Sequence, residues 1–122
     1  SGFRSGPVKV ATEESCPGMR NSSIFVAPYG RTQLYYANGN EIRLYDIYGN
    51  TSRVIYSFPD GEDITSMVFH EKDGFKLVVA TYNGSRGALY TFELLNTGNL
   101  KNSTPIYSET GFGYIKKSVQ KV

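Results

Sequence analysis

Five tyrosines, Tyr29, Tyr35, Tyr36, Tyr45 and Tyr48, fall close together in the chain and alternate with Arg31 and Arg43. A tyrosine offers a flat apolar face and a polar edge, which suits a sugar ring or a partner protein equally well. An arginine beside it adds a fork of donors for hydroxyls or carboxylates. Tyr35 and Tyr45 stand in the middle of β-rich runs, so their rings are expected to pack inside. Tyr29 and Tyr48 stand beside turns, where binding residues concentrate. Tyr29, Tyr48, Arg31 and Arg43 are therefore the candidate ligand-binding residues.

The remaining chemistry is sparse. Asp60-Gly61-Glu62-Asp63 gathers three carboxylates beside a glycine and could offer oxygen ligands to a hard cation, but no spaced ligands follow it. It reads as a solvated loop. The single cysteine, Cys16, excludes an intrachain disulfide and any multi-cysteine metal site. It lies in the turn-like Ser15-Cys16-Pro17-Gly18 and reads as a surface or half-buried thiol. The single histidine, His70, closes an apolar run and reads as a solvated strand end. Thr110-Gly111-Phe112-Gly113-Tyr114 is glycine-rich but precedes no helix that could hold a phosphate. Phosphate loops, dinucleotide fingerprints, nucleophile elbows and calcium loops are absent. Asn21, Asn50, Asn83 and Asn102 each open an Asn-X-Ser/Thr triplet, which reads as turn chemistry. No catalytic residue, metal site or cofactor is expected. A net charge of +2 over 122 residues is too small to imply a nucleic-acid partner, and no apolar run approaches the roughly 20 residues that cross a bilayer.

The elements that must position these residues are short strands. Apolar residues recur with period two, or as brief β-rich runs, over 23–27, 34–37, 41–47, 53–58, 64–69, 75–81, 88–94, 104–108 and 115–122. Asn38-Gly39-Asn40, Tyr48-Gly49-Asn50 and Asp73-Gly74 supply the turns between them. No segment carries a helical stripe. The fold class is all-β and antiparallel. Along 41–47, Ile42 and Leu44 point one way and Tyr45 and Ile47 the other, so both faces carry apolar bulk and both are expected to be covered.

A tandem repeat organises these strands. Leu34-Tyr35-Tyr36-Ala37 matches Leu77-Val78-Val79-Ala80 at an offset of 43 (77 minus 34). Tyr45-Asp46-Ile47 matches Phe92-Glu93-Leu94 at 47 (92 minus 45), and Ile55-Tyr56-Ser57 matches Ile106-Tyr107-Ser108 at 51 (106 minus 55). Upstream, 21–26 fits 64–69 at 43 (64 minus 21). Each unit holds four strands, the size of a propeller blade of about 40–50 residues. The expected organisation is an N-terminal segment over 1–20, with Pro7–Ala11 available as an extra strand, then repeats over 21–63 and 64–114. A further strand over 115–122 follows.

With Ile42-Arg43-Leu44-Tyr45-Asp46-Ile47 standing where the third strand of a blade usually reads, 23–122 resembles consecutive WD-repeat-like blades. The Gly-His and Trp-Asp pairs of that family are missing, so its Asp–His–Ser/Thr–Trp network transfers to no position here. Phe75–Gly84 and Ala88–Phe92 also resemble the C-terminal region of PKD-like lipoproteins of Bacteroidota. That resemblance implies a cell-envelope or extracellular setting, as in an outer-membrane lipoprotein, and no catalytic residue. Closed propellers have about four to eight blades. Two blades and a part imply a missing parent chain or a homo-oligomer, unless the piece forms an open sandwich. The expected function is a non-catalytic binding or scaffolding module for carbohydrate or another envelope protein. The alternative is a piece of a propeller glycoside hydrolase or lactonase, with Glu62 and Asp63, or Asp46 and Glu93, as its carboxylate pair.

Overall fold

The computed structural model describes residues 6–22, 24–28, 31–71 and 74–109. Tyr29, the Thr110–Tyr114 stretch and the expected strand over 115–122 lie outside the described residues. Among the described residues, eight strands form two antiparallel sheets: β1 (Phe25–Val26), β2 (Gln33–Asn38), β3 (Glu41–Asp46) and β4 (Thr51–Ser57), then β5 (Asp63–Glu71), β6 (Phe75–Tyr82), β7 (Gly87–Leu94) and β8 (Leu100–Glu109). In each sheet the strands are neighbours in chain order, so both are simple meanders. Among the described residues there is no α-helix, only a 3-10 turn at Met19–Asn21. The all-β antiparallel class stands.

Turn chemistry sets the strand ends. The β2–β3 hairpin turns at Gly39, whose φ of 64° suits a residue without Cβ. At the β3–β4 turn it is Asn50 that takes φ 55°, the left-handed region that asparagine tolerates. Asp46 holds this turn by accepting hydrogen bonds at Oδ1 from the amides of Tyr48 (3.0 Å) and Gly49 (3.2 Å).

The strand registers repeat between the sheets. Leu34 pairs with Tyr45 as Leu77 pairs with Phe92, and Tyr35 with Leu44 as Val78 with Thr91. The fourth strands repeat an irregularity as well. Ile42 pairs with Tyr56 and Arg43 with Val54, leaving Ile55 as the extra residue. Leu89 pairs with Tyr107 and Tyr90 with Pro105, leaving Ile106. One β-bulge thus sits at the same place in both units. The first strands differ slightly: Phe25 pairs with Tyr36 as Met67 pairs with Val79. That is an offset of 42 (67 minus 25), not 43, and β5 carries a further irregularity between Ile64 and Ser66.

Alternation along the strands gives each sheet two faces, and the sheets stack. From the first sheet Tyr35, Ala37, Ile42 and Leu44 enter the main core, and from the second Met67, Leu77, Val79 and Phe92. Phe58, in the connection between the sheets, is 3% exposed in the middle of this core. Its ring lies 4.9 Å from those of Tyr56 and Tyr90 and 6.3 Å from that of Phe92. Asn40 clamps its backbone: Phe58 N donates to Asn40 O (2.9 Å), and Asn40 Nδ2 donates to Phe58 O (2.7 Å). Ile64 N donates to Gly39 O (3.0 Å), so β5 starts against the first hairpin.

The other face of the first sheet is covered by the N-terminal segment. Cys16, Tyr36 and Tyr45 form a second buried cluster, with Ala11, Met19 and Leu34 packed on it. Pro7–Ala11 joins neither sheet. Its chain crosses the sheet face as a strap instead, held by carbonyls. The Tyr45 hydroxyl lies 2.5 Å from Val10 O, and that of Tyr36 donates to Pro17 O at 2.7 Å. Within the strap, Glu13 accepts from the amides of Gly18 (2.8 Å) and Arg20 (3.1 Å).

Candidate functional site

The β3–β4 turn presents the most exposed aromatic among the described residues. Tyr48 is 85% exposed, and Ile47 beside it is also exposed. The Asp46 carboxylate fixes the backbone beneath Tyr48, so the ring rests on a rigid turn. Asn50, two residues on, has its Oδ1 2.6 Å from the Tyr45 hydroxyl. It also lines a shallow hollow of about 360 Å³ with Thr12, Glu14 and Ser15 of the strap. These strap residues are themselves ordered by a tight turn, in which Thr12 N donates to Ser15 Oγ (3.0 Å) and Cys16 N to Thr12 O (2.8 Å). The hollow gathers hydroxyls, a carboxylate and an amide, and Asn50 joins it to the turn that carries Tyr48. An aromatic face and polar groups together suit a polyhydroxylated ligand.

The two candidate arginines are employed elsewhere. Arg31 reaches across to the turn between β7 and β8, its Nη1 donating to Leu95 O (3.3 Å) and Asn96 O (3.5 Å). Gln33 Nε2 donates to Thr97 O (3.4 Å), the Tyr35 hydroxyl to Gly98 O (2.5 Å) and Arg53 Nη1 to the Asn99 side chain (2.5 Å). Four consecutive carbonyls of one turn are thereby satisfied by the neighbouring sheet. This clasp ties the two sheets at one end. Burial pushes the Tyr35 phenol up to about 12, with Arg31 and Arg53 pulling it back down. Arg43 lies on the strap-covered face. Its Nε donates to the Tyr36 hydroxyl (3.0 Å) and Ser52 Oγ (3.3 Å), and its Nη1 meets Glu41 at 3.5 Å. Burial raises the Tyr36 phenol too, against the opposing pull of Ser52 and Arg43. Tyr48, Arg31 and Arg43 thus serve three separate places, and only Tyr48 faces solvent.

The carboxylates pair with structure. Glu62 Oε2 accepts from Thr81 Oγ1 (2.6 Å) and the Tyr90 hydroxyl (2.8 Å), and burial together with this carboxylate pushes the Tyr90 phenol up to about 12. Asp63 lies instead in a separate hollow of about 350 Å³ with Thr65, Tyr82 and Asn83. Asp46 is spent on its own turn, whereas Glu93 is exposed on the far face of the second sheet. No three His, Cys, Asp or Glu side chains gather around a common point among the described residues. His70 is exposed at the end of β5, opposite Lys76. Cys16 is 1% exposed, more deeply buried than its turn-like surroundings suggest, because the turn itself is pressed against Tyr36.

Two features escape a reading of residue patterns. The strap has no periodicity, so nothing in it marks Ala11, Cys16 and Met19 as packing residues. Asn40 reads as a turn residue, and its grip on Phe58 joins positions that share no local pattern. No helix among the described residues is long and apolar enough to cross a membrane. Comparison with protein families, curated proteins and solved structures finds no match to this chain.

Proposed function

We propose that the two sheets are consecutive blades of a propeller-like module that binds without catalysing, and that its ligand is a saccharide held against Tyr48. The observation that carries the binding reading is the exposed Tyr48 ring on its Asp46-braced turn, a turn whose Asn50 lines the polar hollow with Thr12, Glu14 and Ser15. The ring would stack on the C–H face of a sugar, while the hollow pairs its hydroxyls. The blade reading draws on the shared registers, the shared bulge and the face-to-face stacking of the sheets. Binding is favoured over hydrolysis because the Glu62 and Asp46 carboxylates are both committed to holding neighbouring groups. A cell-envelope setting follows from the resemblance to PKD-like lipoproteins.

Screening the chain on a glycan array tests the ligand. A hit that falls at least about tenfold in affinity on Tyr48→Ala, about 1.4 kcal/mol, supports the reading. Silence across the array overturns the saccharide and leaves the exposed Ile47–Tyr48 turn as a protein-scaffolding contact.

A further inference from the structure

We propose that the N-terminal strap is a removable cap on a stacking face, and that the partner this face accepts is the far side of the second sheet in another copy of the chain. The argument rests on the observed stack of two sheets and does not depend on a saccharide ligand.

The stack inside the molecule has a direction. The second sheet applies its Leu77, Val79 and Phe92 face to the Tyr35, Ala37 and Leu44 face of the first. Through the shared registers, the first sheet's equivalents of Leu77, Val79 and Phe92 are Leu34, Tyr36 and Tyr45. Those three residues form the face beneath the strap. In the second sheet, the equivalents of Tyr35, Ala37, Ile42 and Leu44 are Val78, Ala80, Leu89 and Thr91, which alternate onto its far face. Val68 lies in the same row, paired with Val78, and is 55% exposed. One molecule therefore carries both halves of the interface that already holds it together. Among the described residues one half keeps partial exposure at Val78, Leu89 and Thr91, with Ala80 buried between them, and the other half is capped. A patch that complements a different patch on the same molecule makes a head-to-tail contact, which repeats without limit unless it closes into a ring.

The cap is poorly suited to permanent cover. It brings only Ala11, Cys16 and Met19 into the apolar cluster and joins no strand ladder. Its bonds to the sheet run through the tips of Tyr36 and Tyr45. Phe25, stacked on Tyr36 at 5.5 Å, remains 40% exposed beside it. A whole sheet laid on this face would cover Phe25 as well, and would bury more apolar area than three strap residues. The clasp has a counterpart too. The first sheet's β3–β4 turn corresponds to the Leu95–Asn99 turn, and Lys76 corresponds to Gln33. Lys76 of one copy can thus donate to the turn carbonyls of the next.

The test uses the whole chain. Cys16→Arg forces a charge into the buried cluster and expels the strap. Light scattering coupled to size-exclusion chromatography, read over about a hundredfold range of concentration, should show the parent chain at the mass of one copy. Cys16→Arg should rise to two copies and beyond. Adding Val78→Lys and Leu89→Lys should restore the single-copy mass. Hydrogen exchange reports separately that residues 6–22 are released while β2–β3 and β6–β7 stay protected. A Tyr36→Phe/Tyr45→Phe chain, which loses the strap bonds but keeps both rings, serves if Cys16→Arg does not fold. A released strap with no gain in mass overturns the proposal, as does assembly that ignores Val78→Lys. Loss of protection in the paired strands would instead count against the two-sheet repeat itself.

Discussion

Replacing Phe58 by alanine should test whether the two sheets form one cooperative unit. Phe58 belongs to neither sheet, yet it fills the space between them, with three aromatic neighbours and a backbone held by Asn40. Truncating a buried phenylalanine costs about 3–5 kcal/mol, through lost burial and the cavity left behind. Backbone bonds to Asn40 survive the change, so the cavity is the main term. For a domain with about 5–15 kcal/mol of stability this is a large share. With a urea slope near about 1.5 kcal/mol/M, the midpoint should fall by about 2–3 M at unchanged slope. Far-UV circular dichroism and tyrosine fluorescence should shift together, since both sheets lose the same core. A midpoint change below about 1 M, or two separate transitions, would refute a shared core centred on Phe58.

Further outcomes follow from the buried phenols and the turns. Tyr35 and Tyr90 both hold their protons more tightly folded than unfolded, so their contribution is complete below pH about 10 and is lost as pH rises from about 10 to about 12. Tyr35→Phe strands Gly98 O without its donor and should cost about 1–3 kcal/mol at neutral pH, while making the alkaline loss measured by urea titration shallower. Cys16 should react with a disulfide reagent at least about 100-fold more slowly than in the unfolded chain. A reaction rate that is flat across low urea would mark local strap opening. Asp46→Ala removes two acceptor contacts from the Tyr48 turn and should cost about 0.5–1.5 kcal/mol, with faster amide exchange confined to 47–50 if the turn is braced as described.

Much of the architecture was legible in residue spacing. Leu34-Tyr35-Tyr36-Ala37 against Leu77-Val78-Val79-Ala80 places β2 on β6, and the growing offsets through Tyr45 and Ile55 carry the match across β3 and β4. Loops can lengthen while paired strands cannot slip, because a one-residue slip turns every side chain to the wrong face. The bulge was hidden because it is a property of pairing, even though Ile55 and Ile106 mark its place. The first strand pairs one residue out of step with the spacing match of 21–26 to 64–69, since register too is a property of pairing. Of the candidate site, Tyr48 was legible, since a tyrosine beside Gly49-Asn50 has little to bury it. Arg31 and Arg43 were not: an arginine's partners lie wherever its long side chain reaches, here the carbonyls of a turn some sixty residues away and the phenol beneath the strap. Tyr29 falls outside the described residues.

The order of the pieces along the chain also matters while it is being made. Residues 6–22 precede the face they cover, so the Tyr36 side is sheltered as soon as β4 has left the ribosome. The Tyr35 side has no such escort. It waits for Phe92, and at about 5–20 residues per second the gap from Ser57 lasts roughly 2–7 s. During that interval an unfinished chain shows neighbouring nascent chains a bare hydrophobic sheet. Synthesis slowed between β4 and β7 should therefore lower the yield of native protein more than the same delay placed upstream of β1.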